Sequence, residues 1–224
     1  MFWDSTMFLL IPAFVFALYA QNKVKSTYAK YVKVPSALGM SGSEAARKLL
    51  DAAGLSRVGI ESIDGELTDH YDPRANVLRL SRTNHAGTSV AALGVACHEA
   101  GHALQHAKGY APLQFRQAIF PVARFGSNLA MPLFFIGFLF SFGVLMDIGI
   151  LVYLVAALFS VATLPVEFDA SKRAVVELNR HGIVSPEESG SVKKVLDAAA
   201  LTYVAAAMMA VLQLVRLIIL RGRR

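Results

Sequence analysis

The chain has a single cysteine and few charged residues. Cys97 has no partner for an intramolecular disulfide, so the fold does not depend on an oxidising compartment. Charged residues make up 17% of the 224 residues, whereas hydrophobic residues make up 55% and the mean hydropathy is +0.48. Disordered and collagen-like chains are excluded, and an ordinary soluble domain is less apolar. The composition predicts an integral membrane protein with one modest polar domain.

Acidic residues are also scarce: the chain has 16 Asp and Glu but 22 Lys and Arg, which gives a net charge of +6. The basic residues cluster at the ends of apolar segments and form no tract interleaved with aromatic residues, so no nucleic-acid partner is predicted. Residues 21–117 carry twelve Lys and Arg, and residues 166–196 carry five. Because cationic segments stay on the cytoplasmic side of a membrane, both stretches are expected to face the cytoplasm.

Apolar runs predict about four transmembrane helices in a lipid bilayer. Residues 1–20 form an N-terminal anchor, with Trp3 and Tyr19 at the interfaces and the N-terminus outside. Residues 130–164 form a transmembrane hairpin with an external turn expected at Asp147, and residues 198–220 form a C-terminal span. That arrangement places the terminal basic residues outside, against the charge rule. A segment that lies partly in the membrane interface is the alternative. These basic residues are Arg221, Arg223 and Arg224.

The two polar stretches, residues 21–117 and 165–196, are expected to form a small α+β domain. Val58, Ile60 and the segment 77–80 have strand character, and the turn residues between them predict a short antiparallel hairpin. A long helix follows from about Thr88 to Ala107. Pro165 is expected to begin a separate helix directly after the third span.

The informative motif is His98-Glu99-Ala-Gly-His102 within the long helix. Residues i and i+4 lie on one face of a helix, so both imidazoles can bind one metal ion, and Glu99 can reach a water on that ion. Zinc fits, because two imidazoles and one carboxylate leave a fourth position open for water. Glu99 is then the catalytic acid/base. The same spacing also occurs on polar helix faces that bind no metal, so a metal-free polar helix is the alternative interpretation of the motif.

A third protein ligand is required, and Glu167 is the best candidate, although a carboxylate at a helix start can also serve as a simple cap. His106 lies about 12 Å along the helix axis from His98, too far to share a tetrahedral ion. We therefore expect His106 to support the site from outside the ligand set or to lie at the surface. Asp169 is expected at most to support the site, or to form an ion pair with a neighbour such as Arg173.

At this point the chain resembles the YugP-like neutral zinc metallopeptidases of bacterial membranes. The resemblance covers nearly the whole length and rests on several segments besides the HExxH motif. They are Leu18-Tyr-Ala-Gln21, Lys23-Val-Lys-Ser-Thr-Tyr-Ala-Lys30, Leu67-Thr-Asp-His-Tyr-Asp-Pro-Arg74 with Leu80-Ser81, Val95-Ala-Cys-His-Glu-Ala-Gly-His-Ala-Leu-Gln-His106 and Ala198-Ala-Ala-Leu-Thr-Tyr-Val-Ala-Ala-Ala207.

The resemblance implies a membrane-bound zinc peptidase, expected to be an endopeptidase with one zinc ion and a protein or peptide substrate, in the inner membrane of a bacterium. His98 and His102 carry over as ligands and Glu99 as the acid/base. The chain is also similar in plan to the HtpX and prenyl-protein protease type of membrane gluzincin, where a glutamate on a later helix completes the zinc site. Glu167 matches that glutamate. An aspartate commonly follows it four residues on, but here Ser171 stands there.

The expected protein is thus mainly α-helical, with about four transmembrane helices and a small zincin-like cytoplasmic domain. Its substrates would be misfolded or partly extracted membrane proteins near the bilayer. An intramembrane protease is disfavoured, because the apolar run before His98 is too short for its helix to cross a membrane. A catalytically silent, zinc-stabilised membrane adaptor or chaperone is the alternative of a different class, and it would tolerate Glu99→Gln.

Overall fold

Four long helices dominate the computed structural model, which describes residues 5–223. Trp3, expected as an interfacial anchor, and the terminal Arg224 lie outside the described residues. The elements are a 3-10 turn (Ser5–Leu10), α1 (Ile11–Tyr31), α2 (Gly42–Ala52), β1 (Gly59–Ile63), β2 (His70–Asp72), β3 (Val77–Ser81), α3 (Arg82–Ala86), α4 (Val90–Ala107), α5 (Ala111–Leu139), α6 (Gly143–Arg180) and α7 (Pro186–Gly222).

Four of the described helical segments are long and apolar enough to cross a membrane, as expected. They are Ser5–Tyr31, α5, α6 and α7. The expected turn at Asp147 is wrong, because Asp147 lies inside α6. The break falls at residues 140–142, where Ser141 has a positive φ and the Phe142 amide donates to the Gly137 carbonyl at 2.8 Å. The hairpin expected at residues 130–164 therefore begins earlier, with α5 at Ala111.

The helix expected to begin at Pro165 does not exist as a separate element. Pro165 lies inside α6, which runs unbroken from its apolar part into its polar part. A proline removes one backbone hydrogen bond, but long helices can tolerate that loss. The last span is likewise the continuation of a longer helix, since α7 begins at Pro186, where Ser185 and Glu188 cap it reciprocally.

The chain divides into two compact units. The membrane unit comprises residues 5–21, 111–164 and 201–223 of the described chain, and the polar unit comprises residues 22–110 and 165–200. In the membrane unit, the Arg221 guanidinium pairs with the Asp147 carboxylate at 2.7 Å. Arg216 donates to the Thr6 hydroxyl at 3.2 Å, and Arg223 to the Ser5 hydroxyl at 3.5 Å. The start of the chain, the α5–α6 turn region and the end of α7 therefore lie at one face of this unit.

The polar unit contains a three-stranded mixed sheet in the order β1-β3-β2. β1 pairs with β3 in parallel, so the antiparallel pairing expected between the Val58–Ile60 region and the strand at 77–80 is wrong. The antiparallel neighbour of β3 is the short strand β2, which precedes it across the turn at residues 73–76. Sequence propensity identified β1 and β3 but overlooked β2, which has only three residues. Strand character alone does not specify the partner.

The core of the polar unit forms around α4. This helix is buried along most of its length, and the α2 face Ala45, Ala46, Leu49 and Leu50 packs in the same cluster. Ser41 caps α2 through a reciprocal capping box with Glu44, and the Ser89 hydroxyl accepts a hydrogen bond from the Ala92 amide to begin α4. The result is a rigid support for the His98–His102 segment.

Candidate metal centre

The site forms where α4 approaches the polar part of α6. Gly101, inside the HExxH segment, makes this approach possible, because a Cβ at its position would lie 2.7 Å from the carbonyl oxygen of Ala170. Ala170 and Ala174 are fully buried on the facing side of α6. Small residues on both helices thus bring the two backbones together and place the side chains of α4 against Glu167.

Three donor side chains converge in this contact. His98 Nε2 lies 3.3 Å and His102 Nε2 3.5 Å from the same carboxylate oxygen, Glu167 Oε2. Their ligand atoms all lie within 4.8 Å of one another, and the two imidazole rings meet edge to face with centroids 4.8 Å apart. Glu167 is almost completely buried. Among residues 5–223 this is the one cluster of His, Cys, Asp and Glu that is suited to hold a metal ion.

Each imidazole also has a partner on its other nitrogen. The Nδ1 atom of His98 lies 3.1 Å from the hydroxyl of Ser171, and the Nδ1 atom of His102 lies 3.0 Å from the amide oxygen of Gln105. Such contacts orient a ligating imidazole and leave Nε2 for the metal. Ser171 lies four residues after Glu167 on α6, and its hydroxyl supplies the contact to His98.

The electrostatics of the site favour a cation. Burial opposes protonation of His102, but its hydrogen bond with Glu167 and the negative charges of Glu99 and Glu167 outweigh burial and raise the pKa of His102. The two acidic side chains therefore favour a positive charge at this point, which a proton on His102 can supply. A divalent ion can take that role, and the two-histidine, one-glutamate donor set is one that zinc binds. The residues present fit a zinc ion.

Glu99 is the second buried carboxylate of the site. It follows His98 on α4 and is 8% exposed. Its charge acts on His102, as the raised pKa of that imidazole shows. A buried glutamate next in sequence to one of two histidines that could hold a metal ion is a candidate general base.

The remaining residues named from the sequence lie outside the three-donor cluster. His106 is exposed, and its Nδ1 atom contacts the Tyr71 hydroxyl at 2.9 Å. Asp169 forms the expected ion pair with Arg173 and also accepts a hydrogen bond from Gln105 Nε2 at 2.8 Å. Cys97 is fully buried in the core, and burial raises the pKa of its thiol.

Gln105 is the residue that sequence reasoning overlooked. It is fully buried and contacts both His102 and α6. Its position three residues after His102 places it near the same helix face. A fully buried glutamine is uncommon, but nothing in the sequence shows that this one is buried.

Fold and site together define a class: a multi-span helical membrane protein whose polar unit carries a two-histidine, one-glutamate centre. A family model described as "Putative neutral zinc metallopeptidase" matches residues 6–222, and the chain belongs to that family. It is similar to the protein named "Putative membrane protease YugP" of Bacillus subtilis (strain 168), with 46% identity over 219 residues that cover 97% of each chain. The resemblance inferred from the sequence is thereby confirmed. No solved structure matches the chain.

Proposed function

We propose that this protein is a membrane-bound metallopeptidase that binds one zinc ion at His98, His102 and Glu167 and hydrolyses peptide bonds. The observation that carries the proposal is the convergence of the three donor side chains within 4.8 Å, with Glu99 buried beside them. Membership of a zinc metallopeptidase family supports the reaction class.

The side chains of the site have different roles in hydrolysis. His98, His102 and Glu167 would hold the zinc ion, which would supply a water molecule with a pKa of about 7 and polarisation of the scissile carbonyl. Glu99 accepts a proton from the attacking water as the water oxygen bonds to the carbonyl carbon. As the carbon–nitrogen bond breaks, Glu99 returns the proton to the leaving amine nitrogen. Glu99 thus acts first as base and then as acid, while the two imidazoles and Glu167 hold their positions.

We place the site on the cytoplasmic side of a bacterial inner membrane. The basic residues of the polar unit favour that side, since residues 21–117 and 166–196 together hold most of the Lys and Arg. The relative from Bacillus subtilis is named a membrane protease. Glu167 follows Leu164, the end of an apolar run, by three positions in the same helix. This proximity along the chain favours substrates at the bilayer, such as misfolded or partly extracted membrane proteins cut internally.

Helix α4 argues against cleavage inside the bilayer. Its 18 residues include the whole HExxH motif, yet α4 is not one of the four described segments that can cross a membrane. It packs in the core of the polar unit instead. The proposed site is therefore open to polypeptides presented by the cytoplasm or the membrane surface.

The test is degradation of casein by the purified, detergent-solubilised, zinc-loaded protein. Wild type is compared with Glu99→Gln and with the control Glu66→Gln, which changes an exposed carboxylate of the same unit. We expect wild type and control to cleave, and Glu99→Gln to lose at least about a hundredfold in rate because a general acid/base contributes roughly that much. Equal cleavage by all three would reject Glu99 as the acid/base. Full biological function of Glu99→Gln in cells would favour the silent adaptor.

A further inference from the structure

Gln105 joins the metal-binding face of α4 to α6 through three polar contacts. Its amide nitrogen donates to the Val166 carbonyl at 2.7 Å and to the Asp169 carboxylate at 2.8 Å. Its amide oxygen lies 3.0 Å from Nδ1 of His102. Gln105 is 0% exposed, so these contacts are not shared with bulk water. A buried amide with a complete set of partners has a fixed orientation.

The orientation of this amide follows from chemistry as well as from the atomic positions. A backbone carbonyl and a carboxylate can only accept hydrogen bonds, and Asp169 is paired with the Arg173 guanidinium. Rotating the amide by half a turn would bring its oxygen against two acceptors at below 3 Å and would leave its donors facing His102. Gln105 therefore directs its amide oxygen at His102, and Nδ1 of His102 must carry the proton that is donated to this oxygen.

We propose that Gln105 is a positioning residue that holds the proton of His102 on Nδ1 and so keeps the Nε2 lone pair available for the metal. This inference rests on the proposed metal centre. Nδ1 carries the proton whether Nε2 is free, protonated or bound to zinc, because the acceptor beside it does not change. The imidazole already has the tautomer that binds the metal through Nε2. Metal binding therefore costs no free energy for a change of tautomer.

The second imidazole is held differently. The partner of His98 Nδ1 is the Ser171 hydroxyl, which can donate as well as accept. Ser171 therefore orients the ring of His98 without fixing its tautomer. The centre therefore has one histidine whose tautomer is fixed by an acceptor, His102, and one whose partner does not fix the tautomer, His98.

Arg173 and Asp169 are connected to His102 through Gln105. The Arg173 guanidinium lies over the Tyr110 ring, 5.6 Å from its centroid, and pairs with Asp169, which in turn accepts from the Gln105 amide. This sequence of contacts links Asp169 to the site although it is not among the three donors.

The experiment combines the histidine tautomer with zinc affinity, using the full-length protein in detergent. Long-range proton–nitrogen correlation spectra of histidine-labelled protein show which ring nitrogen is protonated, and His102→Asn assigns the His102 signal by its loss. Zinc affinity is measured by competition with a chelator. The variants are Gln105→Met, which keeps the length of the side chain, the contrast Ser171→Ala, and the control Gln114→Met at an exposed position.

We expect the neutral imidazole of wild-type His102 to be protonated at Nδ1 and not at Nε2 already in the metal-free protein, and to keep that proton when zinc is bound. In Gln105→Met the zinc affinity falls by about 10- to 100-fold, as for other partners of metal-bound imidazoles, and the metal-free imidazole populates both tautomers. Ser171→Ala and Gln114→Met leave the His102 signal unchanged.

Protonation of wild-type His102 at Nε2 would overturn the proposal, and so would unchanged tautomer and affinity in Gln105→Met. The wild-type spectrum decides by itself if Gln105→Met does not fold. A chain that shows the expected Nδ1 proton but binds no zinc would reject the proposed function while supporting the role of Gln105.

Discussion

At the scale of single residues, the hydroxyl of Ser171 contacts Nδ1 of His98 at 3.1 Å. Replacing Ser171 with Ala removes this contact and leaves the imidazole free to turn. We expect zinc affinity to fall by about tenfold, the low end of the range for such partners, because a neutral hydroxyl holds a ring less firmly than a carboxylate. The measurement is chelator competition on the purified protein. Ser160→Ala on the same helix, where the hydroxyl only bonds the Ala156 carbonyl, is the matched control. An affinity equal to that of the control would contradict this role for Ser171.

Residue types and spacing predicted the donors of the site, but not their supports. The pair His98 and His102 followed from helix periodicity. Glu167 followed from its position directly after the third apolar run, and the resemblance to membrane peptidases then matched it. The structure brings the three together. Gln105 and the hydroxyl contact of Ser171 depend on how two helices face each other. That is a property of packing between segments far apart in sequence, and it leaves no local pattern.

At the scale of elements, the contact between α4 and α6 depends on Gly101. In Gly101→Ala the new methyl group would lie 2.7 Å from the Ala170 carbonyl oxygen, which belongs to backbone and cannot turn aside. The helices must separate, so we expect a loss of about 1–3 kcal/mol in unfolding free energy, and weaker zinc binding as Glu167 moves away from the imidazoles. Thermal unfolding and chelator competition measure the two effects.

The matched control for that change is Gly190→Ala. Gly190 also lies within a helix, but a Cβ there would meet no atom within 4 Å. Alanine is the better helix former, so this variant should keep its zinc affinity and gain up to about 1 kcal/mol in stability. If Gly101→Ala were as stable and as tight a zinc binder as Gly190→Ala, close packing at Gly101 would not be what forms the site.

The boundaries of the apolar helices are poorly predicted from the local sequence. The sequence predicts a turn at Asp147, the one charged residue of the apolar stretch 130–164, yet Asp147 pairs with Arg221 and the helix continues through it. The actual turn contains two phenylalanines, Phe140 and Phe142, and carries no polar signal apart from Ser141. Helix caps are local, since Ser41 with Glu44 and Ser185 with Glu188 form reciprocal caps between residues three positions apart. Capping is decided within four residues, whereas a break in a span depends on the partner helix.

At the scale of the whole molecule, the contacts of the membrane unit predict that both ends of the chain lie on one side of the membrane. Arg223 and Ser5 are in contact, and four spans return the chain to the side on which it began. The positive-inside rule places the polar unit in the cytoplasm, so both ends are expected outside. Pairing of Arg221 with Asp147 lowers the cost of placing a basic residue there.

Cysteine accessibility in a Cys97→Ala background tests this topology. Single cysteines at Ser5 and Arg223 should react with a membrane-impermeant maleimide on intact spheroplasts. A cysteine at Lys48, an exposed residue of the polar unit, should react only after permeabilisation. Labelling of the two ends from opposite sides would contradict four spans, and labelling of Lys48→Cys from outside would invert the proposed orientation.

The most direct test of the account is zinc titration of the chelator-treated protein, with bound zinc and casein cleavage followed in the same samples. We predict that cleavage returns in proportion to zinc and is complete at one ion per chain. Glu99→Gln should take up the same single ion without regaining cleavage, and His102→Asn should hold the ion far more weakly. Cleavage that persists after zinc removal, or that returns equally in Glu99→Gln, would contradict a zinc peptidase whose acid/base is Glu99.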